Sequence, residues 1–183
     1  MGPTLSDIEQ RNMVVFRLHQ QTYALPIEPI LQIVEMVAIT PIPQVSHAVE
    51  GVVNVHGATV PVVNLRRHLG LPEKALQLHT PILLVQTADW TVGLIVDEVA
   101  DVLDLPAEQI ARPADILPEG LGEAPVLQGL AHTKNGAILL LNLDHLFLPD
   151  QARALAQLAA TPIENFMGLE ETAPVEITQE DKT

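Results

Sequence analysis

Short runs of apolar and β-branched residues recur along most of the chain, separated by brief polar stretches with turn-forming residues. This pattern is typical of β-strands joined by tight turns. It predicts strands over residues 14–18, 23–27, 48–55, 59–65, 82–87, 91–96, 126–131 and 137–143. The connecting turns are predicted at Gln20-Gln21, Gly57, Ala88-Asp89 and Lys134-Asn135-Gly136, where Asn-Gly is a strong turn signal. Because prolines disrupt a strand ladder, residues 26–31 are predicted to form a helical turn or an irregular edge, and Pro61 is expected at an edge or a bulge.

Helical periodicity is clear only late in the sequence, where an alanine-rich stretch ends before Pro162 and predicts a helix over residues 149–160. Beyond it, residues 161–183 contain six acidic residues and one lysine and offer little to bury, which predicts an acidic, mobile tail. Residues 1–11 are predicted to be a flexible N-terminus. The folded body is therefore expected to span residues 12–148.

One pattern in the first half of the chain recurs later at a nearly constant spacing. The glycines, the apolar run and the final Asn-Leu of residues 51–65 reappear in residues 129–143. Residues 24–33 similarly resemble residues 93–102. Two matched pairs in the same order indicate two related β-units, although apolar strands that end in Asn-Leu also look alike by chance. Five short strands in each unit fit a small, nearly closed barrel, because closure hides the strand edges.

Composition and charge narrow the classes of partner. The chain of 183 residues has 9 Lys and Arg against 23 Asp and Glu, which gives a formal net charge of −14. Binding to a phosphate backbone needs clustered basic residues, and base stacking needs aromatic platforms, for which the chain offers only five aromatic residues. Nucleic acid is therefore not expected as a partner. The absence of cysteine excludes a disulfide scaffold, a thiolate zinc site and a cysteine nucleophile.

No segment has the pattern of a secretory signal or a membrane anchor. The first residues lack a basic region followed by an apolar run. The longest unbroken apolar stretches, residues 92–96 and 137–141, are far shorter than the ~18 residues expected of a spanning helix. A soluble, cytoplasmic protein without direct membrane insertion is therefore expected.

Known enzyme motifs are missing. The sequence contains no G-x-S-x-G, G-x-x-x-x-G-K-[ST], H-E-x-x-H or G-x-G-x-x-G, and its seven histidines are scattered singly. The densest acidic group is formed by Asp97, Glu98, Asp101 and Asp104. Because apolar residues interleave with these acids, a strand or a turn with its polar side in solvent is favoured, and a divalent-cation site or an enzyme built on them stays open as the minor alternative. We predict no catalytic, metal-binding or cofactor-binding residue and no cofactor.

The segment 51–66 is the most distinctive part of the sequence and reads G-V-V-N-V-H-G-A-T-V-P-V-V-N-L-R. Gly51 and Gly57 allow positive φ or close backbone approach at either end of a strand. Asn64 is placed to cap a short helical turn that follows the second strand. His56 is expected at the hairpin tip, where its side chain projects into solvent. A hairpin built only for stability explains the glycines and the asparagine, but it gives no reason for a polar ring at the tip.

This segment resembles the CheW family of chemotaxis coupling proteins, whose usual motif is G-x-x-N-L-R-G-x-x-[VI]-P-[VI]-x-[DN]-L-R. The resemblance continues upstream in residues 15–18 and 23–27, which match the family's F-x-L and Y-A-[IL]-x-[IV]. It continues downstream in residues 92–99, which match V-G-[LI]-x-V-D-x-V, and in the closing Leu-Leu-Asn-Leu of residues 140–143. The motifs occur in the family's order across residues 12–148.

The resemblance implies an all-β fold of two five-stranded SH3-like β-barrel subdomains, followed here by a short C-terminal helix and an acidic tail. It implies a non-catalytic adaptor that couples the cytoplasmic tip of methyl-accepting chemoreceptors to the regulatory domain of a CheA-type histidine kinase, in membrane-associated arrays. In the family, one barrel pairs with the homologous kinase domain, and the groove between the barrels holds a receptor helix tip. The protein-binding residues predicted in this way are Ile30, Gln32, Gly51, Asn54, Val55, His56, Gly57, Pro61, Asn64, Arg66, Asp97 and Val99.

Two positions depart from the family pattern. The arginine of N-L-R-G is His56 here, which loses a permanent charge and a fork of five donors. The glutamate of the family's V-x-E-I stretch falls on the neutral Gln32. These losses lead to the hypothesis of a divergent coupler in an accessory pathway, such as twitching motility or phototaxis. The alternative is a CheW-like competitor that binds receptor or kinase without coupling them.

Overall fold

Strands dominate the computed structural model, which describes residues 11–118 and 125–167 of the chain. The strands are β1 (Arg11–Leu18), β2 (Gln21–Pro26), β3 (Ile30–Glu35), β4 (Val49–Val55), β5 (Ala58–Asn64), β6 (Pro81–Gln86), β7 (Thr91–Ile95), β8 (Glu98–Leu105), β9 (Ile110–Ala111), β10 (Leu127–Thr133) and β11 (Gly136–Leu141). The helices are α1 (Leu65–His68), α2 (Pro113–Ile116), α3 (Pro149–Ala160) and α4 (Glu164–Met167). The predicted all-β fold is confirmed.

The strands form two sheets, which we call sheet A and sheet B. Sheet A has the strand order β8-β1-β2-β11-β10-β9, and sheet B has the order β3-β6-β7-β5-β4. The chain crosses from sheet A to sheet B between β2 and β3, and it returns between β7 and β8. Sheet B is therefore built from the middle of the chain, and sheet A from the two flanking parts. Each sheet curls into one of the two SH3-like barrels, which we call barrel A and barrel B.

Strand pairing explains the repeated sequence pattern. In sheet B, β5 and β7 run parallel with Val62 opposite Gly93. In sheet A, β11 and β2 run parallel with Leu140 opposite Ala24. The sequence repeat makes Leu140 the counterpart of Val62 and Gly93 the counterpart of Ala24. The prediction of two related β-units is therefore confirmed, because equivalent positions occupy equivalent places in both barrels.

Each barrel is closed by chain that runs from one edge strand to the opposite edge. After β3 the chain reaches Thr40, which forms an antiparallel bridge with Val52 of β4. After β8 it reaches β9, whose Ala111 pairs with Leu130 of β10. Leu130 is the counterpart of Val52 in the sequence repeat, so the two barrels close at equivalent positions. The short strand β9 makes sheet A 6-stranded, whereas sheet B has the five strands that were predicted for each unit.

Two glycines allow the closing chain to approach. A Cβ at Gly51 would lie 2.1 Å from the carbonyl oxygen of Thr40. A Cβ at Gly129 would lie 2.6 Å from Cγ2 of Ile110 and 3.0 Å from the carbonyl oxygen of Ala111. These glycines are also counterparts in the sequence repeat. Close backbone contact therefore accounts for the glycine at the start of each repeated unit.

The apolar core has three main parts. The largest joins residues of both sheets, among them Phe16, Leu18, Leu25, Val63, Leu83, Val85, Val92 and Leu94. A second cluster, including Met13, Val15, Ala24, Leu105, Ala131 and Ile138, fills barrel A, and a third, including Val53, Val60, Val62, Ile82 and Leu84, fills barrel B. Successive residues of a strand such as β6 therefore contribute to different clusters. Burial on both faces explains why these strands are continuous apolar runs rather than alternating ones.

Strand β3 lies where the sequence pattern did not predict a strand. Residues 26–31, predicted to be irregular, include the start of β3. Neither proline interrupts the pairing of β3 with β6, because Pro26 is the last residue of β2, opposite Met13, and Pro29 precedes β3. The carbonyl of Pro29 accepts a 2.7 Å hydrogen bond from the amide of Gln86, which aligns β3 beside β6.

One turn is placed differently from the prediction. Leu18 pairs with Gln21, so the β1–β2 turn is formed by His19-Gln20 rather than by Gln20-Gln21. Main-chain register, which residue composition does not specify, accounts for the difference. The turn between β6 and β7 is centred on Ala88-Asp89, as predicted, because the amide of Thr87 donates to the carbonyl of Trp90 at 2.8 Å.

Pro61 lies in an interior strand rather than at the expected edge or bulge, because β5 runs between β7 and β4. Pro61 is opposite Val52, whose amide and carbonyl bond instead to Thr40, at 2.9 and 2.8 Å. The missing N–H of Pro61 therefore leaves no group of Val52 without a partner.

The helix predicted over residues 149–160 is present as α3. None of the helices in the described parts of the chain is long and apolar enough to cross a lipid bilayer. Residues 1–10 and 168–183, which hold most of the predicted flexible N-terminus and acidic tail, lie outside the described residues.

Residues 161–167 differ from the prediction of a mobile tail. The carbonyl of Thr161 accepts a 2.7 Å hydrogen bond from the hydroxyl of Thr59. Ile163 and Phe166 are buried and form a small apolar cluster with Val52. The acidic composition of residues 161–183 predicts a mobile tail, but Ile163 and Phe166 are apolar and bury against Val52.

Replacing Phe166 with alanine is expected to lower the free energy of unfolding by about 2–3 kcal/mol, because the removed ring leaves a cavity beside Val52. Met167→Ala is the matched control, since Met167 is 58% exposed whereas Phe166 is 8% exposed. The control should change stability by less than about 0.5 kcal/mol. Urea unfolding followed by circular dichroism measures both, and equal small effects would contradict a structural role for residues 161–167.

Candidate protein-binding site

The turn between β4 and β5 presents His56 to solvent. Val55 pairs with Ala58, so His56 and Gly57 are the two central residues of the turn. Both have positive φ, 51° at His56 and 88° at Gly57, as a type I′ hairpin turn requires. The side-chain oxygen of Asn54 accepts a 2.8 Å hydrogen bond from the amide of Gly57. The hairpin thus holds an exposed imidazole at its tip, as expected.

The end of β5 leads into a capped helical turn. Asn64 is the N-cap of α1, and its side-chain oxygen accepts a 3.1 Å hydrogen bond from the amide of Arg66. Its side-chain nitrogen donates to the carboxylate of Glu50 at 3.0 Å. At the equivalent place in barrel A, the side chain of Asn142 accepts from the amide of Asp144 at 3.1 Å. The predicted cap is confirmed, and both polar ends of Asn64 are used within the chain.

A buried ion pair lies where the two barrels meet. The side chains of Arg66 and Asp97 are 10% and 14% exposed. Nε of Arg66 donates to Oδ1 of Asp97 at 2.7 Å, and a second, parallel hydrogen bond joins Nη2 to Oδ2. Nη1 of Arg66 donates to the carbonyl of Pro72 at 2.6 Å. The amide of His19, in the β1–β2 turn of sheet A, donates to Oδ2 of Asp97 at 2.8 Å.

Hydrogen bonds keep both members of this pair charged. Burial raises the pKa of Asp97, but hydrogen bonds from Arg66 and from the amide of His19 outweigh it and hold the pKa below its ordinary value. The positive charges of Arg66 and Lys74 act in the same direction. The hydrogen bond to Asp97 raises the pKa of the Arg66 guanidinium, against the opposing effect of burial. The pair is therefore ionised at neutral pH.

Two edge strands expose apolar side chains. Among the described strands, β3 at the end of sheet B pairs only with β6, and β8 at the end of sheet A pairs only with β1. Leu31 and Ile33 of β3 are 59% and 44% exposed, and Val102 of β8 is 48% exposed. A free main-chain edge beside exposed apolar side chains is typical of a surface that pairs with another protein.

The predicted binding residues fall into three groups by burial. Gln32, Asn54, His56 and Gly57 are exposed; Ile30, Val55, Asp97 and Val99 are partly buried; and Gly51, Pro61, Asn64 and Arg66 are buried. The exposed residues lie on β3 and on the β4–β5 hairpin, at opposite ends of the strand order of sheet B. Within the described ranges, Gln32 and His56 share no hydrogen bond. Contact with a partner stays a prediction for the accessible residues.

Exposed apolar residues that the sequence patterns did not single out belong to the same surfaces. Leu31 and Ile33 face away from Val34, which packs in the core of barrel B. The sequence of β3, I-L-Q-I-V-E, does not alternate between apolar and polar residues, and the two prolines before it favoured an irregular segment. The exposure of Val102 was likewise not predicted, because acidic residues lie close to it in the sequence.

Three of the four clustered acids make separate contacts within the chain. Asp97 binds Arg66, Glu98 lies 3.8 Å from Arg17, and Asp101 accepts a 2.7 Å hydrogen bond from the amide that follows it. In residues 11–118 and 125–167, no group of three or more His, Asp or Glu side chains is arranged to hold a metal ion. Glu98, Asp101 and Asp104 are exposed on β8, as favoured from the sequence. The expectation is wrong for Asp97, which precedes β8 and is largely shielded from solvent by Arg66.

The two joined barrels, their free edge strands and the exposed hairpin tip define a class of protein, a β-barrel scaffold that binds other proteins. The chain belongs to the CheW family: the family model described as the CheW-like domain matches residues 12–149. Proteins of this family are non-catalytic scaffolds of chemotaxis signalling, so the chain is an adaptor and not an enzyme.

Curated relatives match most of the chain. The chemotaxis protein CheW of Thermotoga maritima is 31% identical over 142 residues, which cover 77% of this chain and 91% of the relative. The protein FrzA of Myxococcus xanthus is 28% identical over 153 residues, which cover 81% and 92%. The crystal structure of the scaffolding protein TtCheW from Thermoanaerobacter tengcongensis matches with a TM-score of 0.69 at 28% identity and covers 77% of this chain and 94% of that chain.

Proposed function

We propose that this chain couples the cytoplasmic tip of methyl-accepting chemoreceptors to the regulatory domain of a CheA-type histidine kinase, as a cytoplasmic component of membrane-associated arrays. The observation that carries the proposal is the pair of edge strands, β3 and β8, which belong to different barrels and each expose apolar side chains. A coupler must hold two partners at once, and two separate edges joined by one shared core meet that requirement.

The two surfaces suit different partners. A homologous barrel can pair its own edge strand with β3 through main-chain hydrogen bonds and cover Leu31 and Ile33. A receptor helix needs an apolar groove. Ile27, which is 36% exposed, and Val102 both lie beside β1, because the amide of Ile27 bonds to Asn12 and Val102 pairs with Val14. We assign β3 to the kinase domain and the region of Ile27 and Val102 to the receptor tip.

Two residues of barrel B that differ from the family pattern, His56 and Gln32, bear on the choice of partner. His56 in place of arginine and Gln32 in place of glutamate leave the surface of barrel B without one positive and one negative charge. A partner that carries the complementary charges would lose both interactions, so a kinase or receptor of an accessory array is the finer proposal. The similarity to FrzA supports it in part, since the matched domain also occurs in a protein that is not named CheW.

Kinase binding should depend on the exposed leucine of β3. We expect Leu31→Asp to weaken binding to the CheA-type kinase of the same genome by at least about tenfold, because a charge replaces an apolar contact in the paired edge. Leu148→Asp is the matched control, because Leu148 is 65% exposed and is the N-cap of α3, where aspartate is favoured. Titration calorimetry with the purified kinase regulatory domain measures both affinities.

Reconstituted arrays of receptor, kinase and this protein test the coupling itself. A rise in kinase autophosphorylation when the protein is added supports coupling, and a fall favours the competitor. If the protein captures no CheA-type kinase of its own genome, the coupling function is wrong.

A further inference from the structure

We propose that Asp97 is a positioning residue that sets the angle between the two barrels, by holding the β1–β2 turn of barrel A against Arg66 of α1, which directly follows β5 of barrel B. The effect on barrel geometry rests on the structure alone. Its consequence, a change in the receptor-binding groove, rests on the proposed function.

The chain changes barrels at this residue. The amide of Val96 donates to the carbonyl of Pro81 in sheet B at 3.2 Å, and the next amide, that of Asp97, donates to the carbonyl of Arg17 in sheet A at 3.0 Å. The carboxylate of Asp97 adds the bond from the amide of His19 and the two bonds from Arg66. Main chain and side chain of one residue therefore join both barrels.

Directional bonds constrain the angle between the two barrels. The apolar cluster between the sheets holds the barrels together, but apolar burial is non-directional. A bidentate arginine–carboxylate pair constrains both distance and orientation, and low exposure protects it from solvent. The turn that it holds includes His19 at a φ of 58°, a conformation that few non-glycine residues adopt.

The pseudo-symmetry of the fold supplies a comparison within the same molecule. The sequence repeat places Glu28, Asp144 and Ala88 at the positions equivalent to Asp97, Arg66 and His19. Two acids cannot form the equivalent ion pair. Glu28, Ala88 and Asp144 instead line a cleft of about 570 Å³ at the equivalent junction between the two barrels.

At one junction between the barrels, the ion pair of Arg66 and Asp97 joins them. At the equivalent junction, no ion pair forms between Glu28 and Asp144, and a cleft lies between the barrels. The cleft lies next to Ile27, which belongs to the surface assigned above to the receptor tip. A small rotation about the junction at Asp97 would change the cleft and this surface together. Asp97 and Arg66 therefore act on a partner indirectly, through the barrel angle, rather than by touching it.

Spin labels can report the barrel angle, because the chain has no cysteine and two can be introduced without interference. Lys134→Cys with Asp89→Cys places exposed labels in the turns of barrel A and barrel B. Asp89→Cys with Glu35→Cys places both labels in barrel B as the internal reference. In double electron–electron resonance, Asp97→Asn should broaden or shift the distance distribution between barrels and leave that within barrel B unchanged.

Glu98→Gln is the matched control, since Glu98 is the next residue and its pair with Arg17 is exposed. It should leave both distributions as in the wild type. If Asp97→Asn does not fold, Arg66→Lys serves instead, because lysine keeps the charge but not the paired donors. An inter-barrel distribution that matches the wild type in whichever of these two variants folds overturns the proposal, and so does an equal change within barrel B.

Binding measurements on Asp97→Asn test the effect on partners separately from the barrel angle. Asp97→Asn should weaken binding to a receptor-tip peptide by about fivefold or more and leave binding to the kinase regulatory domain unchanged. Equal weakening of both would indicate general destabilisation and contradict positioning. If the wild-type protein binds neither partner, the proposed function fails, and the distance distributions still decide whether Asp97 sets the barrel angle.

Discussion

Replacing Gly51 with alanine is expected to lower the free energy of unfolding by about 4 kcal/mol. The added Cβ would lie 2.1 Å from the carbonyl oxygen of Thr40 and 2.7 Å from its carbonyl carbon. These are backbone atoms held by the bridge between Thr40 and Val52, so they cannot move without opening barrel B. Gly51 also has a φ of 149°, which an alanine adopts only under strain. Urea unfolding at neutral pH measures the change.

Gly57→Ala separates the steric clash from the backbone strain. Gly57 has a φ of 88°, but a Cβ there would meet no atom within 4 Å. Strain alone should therefore cost about 1–2 kcal/mol. If the two variants lose equal stability, close approach of Thr40 is not the reason for the glycine at position 51.

Arg66→Ala is expected to cost about 3–5 kcal/mol, because it leaves the carboxylate of Asp97 buried without its partner. The control is Arg17→Ala, which breaks an exposed pair with Glu98 and should cost less than about 1 kcal/mol. Thermal or urea unfolding of both variants at pH 7 gives the comparison. A deficit in Arg66→Ala no larger than that in Arg17→Ala would contradict the importance of burial.

The cost of Arg66→Ala should shrink in acid, because a large part of the downward pKa shift of Asp97 comes from Arg66. In the wild type the pKa of folded Asp97 lies below its ordinary value, so this contribution to stability is lost as the pH falls through the acidic range. Without Arg66, burial is opposed only by the hydrogen bond from the amide of His19 and the charge of Lys74, so the pKa of folded Asp97 is higher than in the wild type and less stability is lost on acidification. Unfolding curves between neutral pH and the acidic range should therefore converge.

Local sequence patterns predicted the hairpins well, because their information lies within a few residues. The tip at Gly57 follows from a glycine between two apolar runs, and the turn at Lys134-Asn135-Gly136 from Asn-Gly. Asn64 predicted its own cap, because the capping side chain and the amide it binds are close neighbours in the sequence. β3 was hidden because prolines count against a strand, whereas Pro26 and Pro29 lie just outside its ladder.

The site was predicted less completely than the fold. The family motif singled out His56 and Arg66 alike, and only the structure separates an exposed tip from a buried ion pair. Leu31 and Val102 carry no motif, since exposure of an apolar residue depends on which neighbours the sheet provides.

The sequence by itself determined most of the strand runs and turns, the two-fold repeat and the family, because each is encoded in neighbouring residues or at a fixed spacing. The tertiary structure explains why many strands are continuous apolar runs, since the central strands are buried on both faces. Only the tertiary structure decided that the chain interleaves two barrels, that Gly51 makes room for Thr40, and that Asp97 meets Arg66. These features join residues far apart in the chain, and their contacts exist only once both barrels have formed.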